Sequence, residues 1–169
     1  MVACAASGIL LTALWKAYER QHWLSLVPAR FGVGTIVYAK DRSWGFGPGG
    51  NETGVVLFEL PQAAADAIGR SGGAYLASLQ DGLHWEPTPL RDRRDWLNCE
   101  GSSQWSCPSE SPHLANYLDQ YGFSIPVSPS VTAEIDRALS STGSFYAYTR
   151  TGVLLVIPRT RRVAFVYAG

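Results

Sequence analysis

His84, Glu86, Asp95, Cys99, Cys107 and His113 are the side chains whose types could carry chemistry between positions 84 and 113. An imidazole beside a carboxylate or a thiol is the minimum for nucleophilic catalysis, because the histidine takes the proton that frees the nucleophile. A small hydrolase could therefore use His84 or His113 with Glu86, Asp95 or Cys107. Nothing in the spacing brings one of these histidines beside a partner, so no catalytic residue is assigned. His84, Cys99, Cys107 and His113 also have the donor types of a zinc site, yet their spacing matches no zinc motif. No metal ligand and no cofactor follow from the sequence.

Other chemistries fail on particular residues. A zinc deaminase needs Pro-Cys-x-x-Cys on one helical turn downstream of His-x-Glu. After His84-x-Glu86 the two cysteines stand too far apart, and Pro108 follows the second instead of preceding the first. There is no Gly-x-Ser-x-Gly, no phosphate-binding Gly-Lys-Ser/Thr loop and no His-Glu-x-x-His. Gly45-x-Gly47-x-x-Gly50 has the spacing of a dinucleotide-binding turn, but that turn must open a helix whose N-terminus meets the phosphates. Here Pro48 sits inside the pattern and a β-rich run follows, which argues against nucleotide. Glu59, on an otherwise apolar run, is the carboxylate to inspect, since a buried one must be paired or shifted in pKa.

The candidate contact residues are instead aromatic and lie in irregular stretches. Between two β-rich runs, Gly34–Ala39 and Gly54–Leu60, stands a glycine-rich connection carrying Trp44, Phe46 and Asn51. Long loops of this kind often carry function. Residues 80–112 form the second such stretch, with Trp85, Trp96, Trp105 and four prolines. Its composition is irregular, while its tryptophans call for packing. Cys99 and Cys107 flank a short polar loop around Trp105 and form a candidate disulfide in an oxidising compartment. Trp44, Phe46, Asn51 and Trp105 make up the candidate binding surface. Arg159, Arg161 and Arg162 cluster at a turn, the setting of a solvated charge patch.

The elements that position these residues read as follows. Val2 to Trp15 is almost wholly apolar, and Lys16, Glu19, Arg20 and His22 follow before Trp23, Leu24 and Leu26, which fits one hydrophobic helix over residues 1–27. The apolar part is shorter than the roughly 20 residues of a spanning helix. An anchor, a signal-like segment and a core helix all remain open. Pro61 starts a helix that breaks near Gly72, with Ala64, Ile68 and Leu76 toward the sheet. Leu114, Tyr117, Leu118 and Tyr121 give a helix from Ser111 or Pro112 to Gly122. Ser130 is the expected N-cap of the next helix, with Glu134 as its capping-box partner. Ser144–Thr149, Val153–Ile157 and Arg162–Tyr167 form a closing antiparallel meander.

The 169 residues, 46% hydrophobic and 17% charged, suit a folded domain and not a disordered chain. With a net charge of zero, no global basic field points to nucleic acid. The expectation is an α+β domain over residues 28–169: an antiparallel sheet of about five strands with helices on one face, behind the N-terminal helix. The expected function is a binding module of a bacterial cell envelope, on the periplasmic side of the inner membrane, with a protein partner and membrane contact through residues 1–27. The alternatives are the small hydrolase, a cytoplasmic placement, and an accessory subunit of a larger membrane complex.

Overall fold

The computed structural model describes residues 2–44, 51–91, 96–97, 111–122 and 124–169, with backbone alone for 2–13 and 51. In chain order the elements are α1 (Val2–Ser25), β1 (Ile36–Trp44), β2 (Asn51–Glu59), α2 (Gln62–Ser71), α3 (Gly73–Ser78), β3 (Glu86–Pro87), α4 (Leu114–Leu118), α5 (Pro129–Ser140), β4 (Phe145–Tyr148), β5 (Val153–Ile157) and β6 (Arg162–Ala168). The strands form one antiparallel sheet in the order β1-β2-β6-β5-β4-β3. The α+β class and the closing meander are as expected. The sheet has six strands and not five, because the two-residue β3 pairs with β4 inside a stretch too short and proline-rich to announce a strand.

Helices cover both faces, not one. Val55, Leu57, Val153, Leu155, Ala164 and Val166 face α4 and α5, where Leu114, Leu118, Ile135 and Leu139 are buried. Val56, Phe58, Leu154, Val156, Val163 and Phe165 face α2 and α3, with Ile68 and Leu76. Because successive side chains of a strand point to opposite faces, a sheet covered on both sides needs strands that are apolar at every position. β5, Val-Leu-Leu-Val-Ile, is buried throughout for this reason. Ala64, Ile68 and Leu76 face the sheet as their helical spacing requires.

The long apolar N-terminal helix of the sequence reading is not found. α1 runs from Val2 to Ser25, but from Lys16 it carries Glu19, Arg20, Gln21 and His22, all exposed. Among the described residues no helix is long and apolar enough to cross a membrane. The last turn of α1 packs on the domain through Trp23, whose ring lies 5.7 Å from that of Tyr167 on β6. Two helix starts also differ. α4 begins at Leu114, and α5 begins two residues early, with Ser128 as N-cap and Pro129 in the first turn. Glu134 makes no capping bond; its carboxylate accepts from the Thr160 hydroxyl.

Tyr167 explains two glycines. A side chain at Gly54 would collide with the Tyr167 phenol, which lies across β2, and one at Gly152 would collide with the Val166 carbonyl. Gly69, in contrast, sits on α2 with open space where a Cβ would be. Gly152→Ala should therefore cost about 2–3 kcal/mol from overpacking. Gly69→Ala should add about 0.5–1 kcal/mol by removing backbone freedom from the unfolded chain. Urea unfolding of the two variants against the parent measures both, and equal or like-signed changes would contradict this packing.

Candidate functional site

The first candidate surface is the β1–β2 hairpin. β1 is β-branched and aromatic at its start, which suits a pleated strand, and its sequence then turns to Lys40, Asp41, Arg42 and Ser43. These residues are exposed, in contrast to β2, which is buried from Thr53 to Phe58. Register places Trp44 opposite Asn51, so two of the four sequence-derived contact residues meet at the far end of the hairpin. Phe46 lies outside the described residues, as does Trp105. Cys99 and Cys107 lie outside them too, and the disulfide stays an expectation.

The hairpin is held at its base and along its inner side. Thr53, fully buried, donates its hydroxyl to the Leu118 carbonyl at 3.0 Å and so ties β2 to α4. The Tyr38 hydroxyl accepts from the Ser128 amide at 3.0 Å. At the other end Glu59 receives Arg161 at 2.7 Å, both side chains half exposed, while the Arg161 guanidinium also reaches the Leu60 carbonyl. Glu59 is thus an ion-pair partner at the strand's end, not a buried acid. The hairpin is a stiff platform for what its outer edge presents.

α1 flanks this edge. Lys16, Glu19, Arg20 and Trp23 of the helix, with Gly34, Ile36, Ala39 and Asp41, line an open groove of about 700 Å3. The Arg20 guanidinium bonds the Gly34 carbonyl and fixes the groove's near end. Positive and negative side chains alternate along its walls.

The second candidate region is an aromatic ladder toward the opposite edge of the sheet, in which Trp96, Tyr117 and Tyr146 are buried and Tyr148 is exposed. Trp96, 1% exposed, stacks on Tyr117 with centroids 4.3 Å apart, and its indole N–H donates to the Tyr148 hydroxyl at 3.3 Å. Tyr148 meets Tyr146 edge to face at 6.0 Å, and Tyr146 donates to Glu86 at 2.9 Å. The Trp96 carbonyl accepts from the His113 amide and from the Asn116 side chain, which fastens this point of the irregular stretch to α4. Sequence reading found that the tryptophans of this stretch must pack. It missed Tyr146 and Tyr148, whose signal was only alternation on a short strand.

His84 and His113 border the aromatic ladder, through Glu86 and through the Trp96 carbonyl. His84 is 90% exposed in its side chain, and its ring nitrogen lies 3.9 Å from Glu86. His113 Nδ1 lies 3.0 Å from Asp136, whose other carboxylate oxygen accepts the Leu114 amide at 2.7 Å. The Asp136 carboxylate thereby satisfies an otherwise orphan N–H in the first turn of α4. Asp136 thus caps α4, and the half-exposed His113 ring pairs with that same carboxylate.

Burial, above all, raises the Tyr146 pKa; the Arg91 amide opposes that rise, and the Glu86 carboxylate adds to it. Burial likewise holds the Tyr167 phenol in its protonated form, reinforced by the negative charges of Asp41 and Glu52. A raised folded-state pKa means stability that is complete below the unfolded tyrosine value, about 10, and is lost as pH climbs through the folded value. Stability to urea should therefore fall between about pH 10 and pH 12. Tyr146→Phe should fall less over that interval than the parent. An identical slope in the two proteins would show that Tyr146 is not held neutral.

Comparison of the chain with known family models, curated proteins and solved structures finds no match.

Proposed function

We propose that this chain is a binding module of the bacterial cell envelope, and that its β1–β2 hairpin is the contact surface for a protein partner. The observation that supports this most is β1 itself. It is a nine-residue strand at the end of the sheet, exposed from Ala39 to Ser43, while the central strands are sealed on both faces. A row of outward backbone groups is a ready template for another chain. The envelope setting rests on the apolar sequence of Val2 to Trp15, which suits contact with a membrane-borne neighbour, although no described helix is long and apolar enough to cross a membrane. The small-hydrolase alternative finds less support, since His84 is exposed beside Glu86 with no nucleophile at hand among the described residues, and the Asp136 that pairs with His113 is also bonded to the Leu114 amide.

Photo-crosslinking in the native host tests the reading. A benzophenone residue placed at Val37 or Ser43 should give a discrete protein adduct, and one placed at Ala133 on the exposed side of α5 should not. Equal labelling from all three positions, or none from β1, would overturn the hairpin as the contact surface.

A further inference from the structure

We infer that the outer edge of β1 takes up an extended polypeptide segment as an additional strand beside α1, and that the segment carries acidic residues at alternate positions. This rests on the binding-module reading above and names the chemistry of the partner.

The edge is open. Among the described residues β2 alone is paired with β1, and no described backbone group bonds the outward side of Val37–Ser43. A row of evenly repeating N–H and C=O groups is matched in full only by another extended chain, about 4.8 Å further out.

The helix provides one side wall. Trp23 rests on Tyr167 of β6, and one and two turns earlier Arg20, Glu19 and Lys16 stand over Gly34, Ile36, Ala39 and Asp41 of the β1 side. α1 therefore leads from the middle of the sheet toward its open edge. Away from that groove, α1 carries Leu14, Trp15 and Tyr18, exposed at 59%, 67% and 69%, with the two rings 6.3 Å apart. These are the largest exposures of big apolar side chains among the described residues. A strand added to β1 would set its side chains against Lys16, Glu19 and Arg20.

The charges select the occupant. Beyond the bulge at Val37, Tyr38, Lys40 and Arg42 share the face turned to α5, while Ala39, Asp41 and Ser43 share the face turned to α1. A second copy pairing antiparallel about Lys40, Asp41 or Arg42 would set that charge opposite itself, which is unfavourable. Those three registers of self-pairing are thus disfavoured. A segment with glutamate or aspartate at alternate positions meets Lys40 and Arg42, and its intervening apolar residues turn to the α1 face.

The probes are two nonapeptides, one alternating glutamate with valine and one alternating lysine with valine, titrated into the protein and followed by amide hydrogen exchange. The glutamate peptide should slow exchange at alternate amides of β1, and it should bind about tenfold more weakly to Lys40→Glu/Arg42→Glu, given two lost and two repulsive cross-strand pairs. The same variant should gain the lysine peptide, a result that also shows it folded. Unchanged β1 exchange with the glutamate peptide would overturn the strand-addition inference. If the Val37 crosslink persisted in that case, the binding module would stand with a side-chain contact in place of strand addition; loss of both would remove the reading itself.

Discussion

Everything in this domain depends on closing both faces of one sheet. β5 and β6 occupy its centre, and every side chain from Val163 to Tyr167 is buried on one face or the other. Such strands have no solvent side, so neither layer of helices is optional: losing α2 and α3, or α4 and α5, would bare a wall of valine, leucine and phenylalanine. The burial gradient across the sheet follows. It falls from β5 and β6 outward, and β1 is where the covering runs out.

That gradient separates scaffold from surface. The polar groups inside are few and bonded: Thr88 joins Ser144 through backbone and hydroxyl, and Thr53 joins α4. Buried polar groups without partners would cost more than such bonds return. At the β1 edge the constraint relaxes, and the chain places charge there.

The class, the closing meander and the inward faces of α2 and α3 were legible because periodicity records burial directly. Ala64, Ile68 and Leu76 recur at helical spacing, and Val153–Ile157 is apolar without interruption. The same reading misjudged the layers. An uninterrupted apolar strand is what a doubly covered sheet requires, and that consequence went unused when helices were expected on one face. β3 escaped because two residues carry no period. The role of Asp136 escaped because a cap from a neighbouring helix leaves no local signature: Asp136 and Leu114 are far apart in sequence. The hairpin candidates Trp44 and Asn51 were found through turn composition, whereas the exposed edge beside them follows from strand order, which no local pattern contains.

The order of the strands also bears on how the protein is made. Thr53 of β2 and Tyr167 of β6 are 114 residues apart, yet they lie side by side. On a ribosome the β1–β2 hairpin emerges early and then waits, with Val55, Val56, Leu57 and Phe58 lacking the strand that will cover their inner edge. α5 and the β4–β5–β6 meander, by contrast, are neighbours in sequence and can assemble at once. Contacts of such long separation slow folding and prolong exposure of apolar surface. The β1–β2 hairpin therefore keeps apolar surface bare for longer than the β4–β5–β6 meander does.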